Sequence, residues 1–125
     1  EAGATHAGMF LAWALLSGLA GLLHIEEMPE ELEELRRREI TPGAFFLRHC
    51  DGKLTDDDLS EEGNGFAQSY YGSSDEPINY FADYGDALGS ELPSLYHVPD
   101  IWDSFERLKP LLDQRLSDWR ATRAV

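Results

Sequence analysis

The uncharged run from Ala7 to Leu23, AGMFLAWALLSGLAGLL, constrains this chain more than any other feature. A helix built from it is apolar all round, so it must be covered either by lipid or by the rest of the protein. The run falls just short of the roughly 18 to 20 apolar residues that suggest a membrane span. Gly18 and Gly21 weaken it, no Lys or Arg lies near either end to set an orientation, and acids follow from Glu26. A secretory signal would want a basic start and a small-residue cleavage pattern, and Glu1 has the wrong charge. The expectation is a helix buried on most sides in a helical core, with no membrane partner. The chain begins without Met and is read as an excised or processed fragment.

Local signals extend this helical reading along the chain. Thr5 is the expected N-cap of the first helix, with Phe10, Trp13, Leu16 or Ser17 and Ala20 on one stripe, Leu11, Leu15 and Leu22 on the next, and a break near Gly18 or Gly21. After Met28-Pro29, the order of acids first and arginines last in EELEELRRRE suits the dipole of a second, solvent-facing helix. Thr41-Pro42 predicts an N-cap with proline at the first helical position, and Asp51-Gly52 a stop. Thr55 before three aspartates and Ser60 before two glutamates are acid-rich helix starts feeding Phe66, Tyr70 and Tyr71.

Farther on, Gly72 to Pro93 reads as loop, short helix and loop, and Leu95, Tyr96 and Val98 as an extended scrap. Pro99-Asp100 is expected to open a terminal helix through Trp102, Phe105, Leu108, Leu112, Leu116 and Trp119. Pro110 should kink that helix or start a second piece. There is no internal repeat and no convincing strand alternation. The fold class expected is mainly α: a single-domain compact helical bundle over residues 1–125, with a buried N-terminal helix and a long C-terminal helix altered at Pro110. Three tryptophans, six phenylalanines and many leucines supply the burial that disordered acidic chains lack.

Charge is unevenly placed. The net charge is −14, and between Asp51 and Glu106 fourteen acids face one base, Lys53, in a segment that also holds all five tyrosines. Phosphate backbones and anionic leaflets repel such a chain, which argues against nucleic acid and membrane as partners. A basic protein is the natural complement, because opposed potentials raise the encounter rate and suppress wrong partners. The residues expected to form that surface are Asp57, Asp58, Glu61, Glu62, Tyr71, Asp75, Glu76, Asp83, Tyr84 and Asp86. Helix capping explains some of these carboxylates equally well, and any one tyrosine can equally be core.

Motifs for catalysis or cofactors are lacking. His49 and Cys50 are neighbours and point different ways, and no CxxC, HxxxH or HExxH spacing exists, so a zinc site would need His6, His24 or His97 to converge by folding. Cys50 could be a nucleophile with a distant histidine or a buried, inert thiol. As the single cysteine it excludes an internal disulfide and fits a reducing, cytoplasmic setting. A calcium loop begun at Asp51 would have Lys53 at its third position and Asp56 where glycine is needed. Gly63 to Gly65 lacks the strand and lysine of a phosphate loop, and the pair Asp83 and Asp86 is expected by chance among twenty-four acids. No metal, cofactor or catalytic residue is assigned.

Thr5-His6 with Phe10-Leu11-Ala12-Trp13, then Cys50-Asp51-Gly52-Lys53-Leu54-Thr55, then Trp102, Phe105 and Asp113, resemble a family of small acidic bacterial domains of unknown function. Ala7-Gly8 departs from it, since a larger apolar residue is more usual before the glycine. The resemblance covers most of the chain and implies fold kinship, a bacterial origin and a further N-terminal segment, but no catalytic residues. In size and charge such domains are similar to the immunity proteins that neutralise antibacterial toxins, an analogy of type. The resulting expectation is an immunity protein that covers the positive cleft of a cognate toxin, such as a basic nuclease effector of a secretion system. The alternatives are an enzyme with a His/carboxylate site and a regulatory or structural interaction module.

Overall fold

In the computed structural model, which describes residues 2–71, 78–89, 92 and 98–123, the apolar run becomes helix α1 (Ala2–Leu16). Every residue from Met9 to Ala14 is at most 1% exposed. Six residues exceed one helical turn, so the helix is covered on all sides. Among the described residues, no helix is long and apolar enough to cross a membrane. Thr5 does not cap α1. The helix begins at Ala2, and burial of Ala4, Thr5 and Ala7 carries it a turn past the expected start. It ends where Ser17 and Leu19 N–H both donate to the Ala14 carbonyl, at 3.2 and 3.0 Å, around Gly18 at φ 86°. That turn returns Leu19 and Ala20 to the core and puts Leu22 outside it, 65% exposed, off the stripe predicted for it.

A single π-type turn (Leu23–Glu27) leads into α2 (Pro29–Arg36), which buries Leu32 and Leu35 and turns its acids outward. Helix α3 (Pro42–His49) starts at Thr41, whose hydroxyl oxygen accepts from Ala44 N–H at 3.4 Å. Its stronger cap comes from a distance. The Asp100 carboxylate accepts from Thr41 Oγ1 at 2.6 Å, Gly43 N–H at 2.7 Å and Ala44 N–H at 3.2 Å. Asp100 was expected to open the terminal helix; it caps α3 because three donors converge there. Helix α3 lies directly on α1 at Gly8, where a Cβ would stand 2.6 Å from the Pro42 carbonyl oxygen.

A 3₁₀ turn (Asp56–Asp58) replaces the helix expected after Thr55 and is followed by α4 (Glu61–Tyr70), capped by Ser60 Oγ accepting from Gly63 N–H at 3.1 Å. Helix α5 (Tyr80–Tyr84), capped by Asn79, runs into a second π-type turn (Gly85–Gly89). The loops expected on either side of it, and Leu95 and Tyr96, fall largely outside the described residues. Helix α6 (Trp102–Arg123) continues through Pro110. The ring lies on the exposed face, where water can serve the Glu106 carbonyl that loses its donor, while Phe105, Leu108, Leu112 and Leu116 are buried on the other.

The architecture is mainly α, a compact helical fold around a buried N-terminal helix with a long C-terminal one. Polar side chains fix how α6 sits: Trp13 Nε1–H donates to Asp113 Oδ1 at 2.8 Å, and Trp102 Nε1–H to the Ile40 carbonyl at 3.2 Å. Arg115 grips the buried Asp83 through Nε at 2.8 Å and Nη2 at 3.2 Å, and Tyr70 Oη–H donates to the same carboxylate at 2.6 Å. An aromatic cluster fills the space between α1, α4 and α5, with Phe10 against Phe66, Tyr70, Tyr71 and Tyr80. His6 stands in the same cluster, 4.7 Å from the ring centres of both Tyr80 and Tyr84.

Two predictions follow from this packing. Gly8→Ala forces a methyl into backbone that cannot rotate away, and should cost about 1–3 kcal/mol in urea unfolding; an unchanged midpoint would show that α1 and α3 can separate freely. Burial lowers the pKa of His6 below its ordinary 6.5. The folded state then binds fewer protons than the unfolded one, so this contribution to stability is complete above pH 6.5 and is lost as the pH falls toward the folded value. The His6 imidazole should titrate below 6.5 by NMR, and a value at or above it would mean that the ring is hydrated rather than held among the tyrosines.

Candidate functional site

Two loops meet beside the N-terminus of α4. The first, Leu19 to Glu27, follows the end of α1; the second, Thr55 to Ser60, contains the 3₁₀ turn. They are joined by an antiparallel bridge between Ala20 and Leu59, with Gly21 N–H donating to the Asp58 carbonyl at 3.0 Å and Ser60 N–H to the Leu19 carbonyl at 2.8 Å. This approach demands glycine: a Cβ at Gly21 would lie 2.6 Å from the Asp57 carbonyl oxygen and 2.8 Å from that of Leu59.

A buried polar centre lies at this junction. His24, fully buried on the first π-type turn, contacts Asp58 Oδ1 through Nε2 at 2.8 Å. Asp58 is 3% exposed, and its other oxygen accepts from the Thr55 N–H at 2.8 Å. Burial alone would raise the Asp58 carboxyl, but the hydrogen bonds from His24 and the Thr55 backbone outweigh it and hold the pKa below its usual value. Cys50, the C-cap of α3, brings its thiol to the same place, so that one donor atom from each of His24, Cys50 and Asp58 lies within 4.8 Å of the others. Burial first, then the charge of Asp58 and a hydrogen bond to it, push the thiol up to about 12. Such a thiol stays protonated and is unsuited to nucleophilic attack, and a histidine and aspartate this deeply buried offer no approach to a substrate.

Outside this centre the same loops form a groove of about 730 Å³, lined by Ala20, Leu22, Leu23 and Leu59 and by Glu27, Asp56, Asp57 and Glu61. All four of these acids are exposed, and among the described residues none forms an ion pair. Leu22 and Ile25, 65% and 50% exposed, stand on the first loop.

Residues 1–98 match the family described as a domain of unknown function, DUF7832. The chain belongs to that family. The match takes in both loops, the buried centre and the acidic groove of this DUF7832 domain, and stops short of α6. No curated protein and no solved structure matches the chain significantly.

The structure separates the residues that charge alone had grouped together. Asp57 and Glu61 line the groove. Glu62 is exposed beside them but accepts a two-pronged bond from Arg120, both contacts at 2.9 Å. Tyr71 is half-buried against Phe10 and Tyr80, and Asp86 is exposed on the second π-type turn. Asp75 and Glu76 lie outside the described residues. Asp58, Asp83 and Tyr84 are corrections to the expected surface: each is at most 5% exposed, Asp58 because it holds His24 and Asp83 because it holds Arg115 and Tyr70.

Of the histidines, His49 meets Glu34 at 3.3 Å and His6 meets aromatic rings, while His97 lies outside the described residues. The meeting of His24, Cys50 and Asp58 had no signal in the sequence, since the three come from separate turns. Asp58→Ala would leave His24 and the Thr55 N–H without their acceptor, and should cost about 2–5 kcal/mol in urea unfolding. A loss under about 0.5 kcal/mol, the usual range of a surface change, would show that the centre does not hold the loops together.

Proposed function

We propose that this domain is a binding protein for a basic partner, and that it acts as an immunity protein, occupying the positive cleft of a cognate toxin such as a basic nuclease effector. The observation that carries the reading is the groove, where four exposed carboxylates without cationic partners among the described residues stand with the apolar side chains of Ala20, Leu22, Leu23 and Leu59, next to the exposed Ile25. Unpaired acids at a rim cost little while hydrated and speed encounter with a cation-rich surface. Exposed aliphatic side chains between them supply the contact area that charge alone does not. The buried His24–Asp58 contact and the backbone bonds around Gly21 hold both walls in place before a partner arrives, which reduces the ordering cost of binding.

Asp57→Lys with Glu61→Lys reverses two groove charges that form no ion pair among the described residues. A pull-down from bacterial lysate with the full chain as bait should retain one basic protein, and the double variant should bind it at least about tenfold more weakly at low salt. The difference should narrow as salt screens the groove. Coexpression with that protein should relieve its toxicity, and the double variant should not. Equal affinity of variant and wild type would remove the groove from the reading; binding without relief would remove the immunity role.

A further inference from the structure

We propose that His24, Cys50 and Asp58 form a binding site for a divalent transition metal of the zinc class. The observation is their convergence. An imidazole nitrogen, a thiol sulfur and a carboxylate oxygen from three turns lie within 4.8 Å of one another, with His24 and Asp58 buried and Cys50 half-buried. Nitrogen and sulfur donors beside one carboxylate select zinc-like ions over calcium and magnesium, which take oxygen alone.

The spacing needs only small changes. A tetrahedral ion with bonds of about 2.0–2.3 Å sets its donor atoms roughly 3.3–3.8 Å apart. His24 Nε2 and Asp58 Oδ1, now 2.8 Å apart, would open slightly, and the Cys50 sulfur, within 4.8 Å of the other donors, would settle at about 3.5 Å from them. The three donors sit on turns already fixed by the Ala20–Leu59 bridge and by the C-cap bond from Cys50 N–H to the Phe46 carbonyl, at 3.1 Å. Asp58 also has the supporting contact that metal-binding carboxylates require, since Oδ2 accepts the Thr55 N–H at 2.8 Å.

The charges balance. For neutral His24, a divalent ion takes the Cys50 sulfur as thiolate, the Asp58 carboxylate and the Nε2 lone pair; the thiol proton leaves to solvent and the imidazole proton moves to Nδ1. Two negative ligands then neutralise the ion inside a low-dielectric interior. Cys50, the half-buried member, is the side from which an ion would enter. Among the described residues His24 Nδ1 has no hydrogen-bond partner, so none of them holds the imidazole proton after coordination, and affinity should fall below that of closed structural zinc sites.

The test uses cobalt(II) as a spectroscopic stand-in for zinc, added to the metal-free chain. Cys50 is the single thiol, so a near-ultraviolet thiolate-to-cobalt charge-transfer band can arise only there. The expected result is that band saturating at one equivalent, with the intense visible bands of a tetrahedral ion, all abolished by zinc. Folded Cys50→Ser should show none of them. A readout free of variants is proton release: one equivalent of zinc should free one proton from the Cys50 thiol of the wild-type chain. Cobalt bound without the charge-transfer band would assign it to surface carboxylates and overturn the proposal, as would zinc bound with no proton released.

Discussion

Burial of the middle of α1, Met9 to Ala14, on every side is the constraint on which the rest of the fold depends. An apolar helix covered on every side cannot be served by one partner, so the other elements must enclose it. The contacts follow from what α1 offers on each face. Gly8 presents bare backbone and lets α3 lie against it. Trp13 offers one indole N–H, and Asp113 on α6 receives it. The His6 carbonyl receives the Tyr80 hydroxyl at 2.6 Å, which brings α5 to the same helix. Each of these polar contacts satisfies a group that burial would otherwise leave costly, so covering α1 also sets the order of the helices around it.

Acids of this chain meet different fates. Asp58, Asp83, Asp100 and Asp113 turn toward the protein, and each accepts hydrogen bonds from residues distant in sequence. A carboxylate placed against several donors is stable where an unpaired one would not be. Glu27, Asp56, Asp57 and Glu61 stay in water around the groove. Neighbours on one short turn are divided in this way: Asp56 and Asp57 face solvent, while Asp58 holds the interior. The wall of the groove and its buried anchor are thus parts of the same three residues, which joins the stability of the loops to the shape of the surface.

Much of the helical plan was legible because its signals are local. Thr41-Pro42 and Ser60 announce helix starts through a side chain acting within its own turn, and Gly18 marks a stop by its left-handed backbone. Thr5 and Asp100 misled for a common reason. Each has the chemistry of a cap, but packing carried α1 past Thr5 and drew Asp100 to another helix. The tyrosines were ambiguous for the same kind of reason. A ring beside aspartates looks alike at an interface and in a core, and only the aromatic cluster around Phe10 takes Tyr70, Tyr80 and Tyr84 inside.

By itself the sequence determined a mainly helical protein enclosing an apolar N-terminal helix, and a strongly acidic character, because propensity, capping and net charge are properties of short stretches or of composition. Tertiary structure alone decided which acids are surface and which are ligands of buried groups, and it alone brought His24, Cys50 and Asp58 together. Those outcomes depend on the directions in which separate turns point, and direction is set by contacts between residues far apart in the chain.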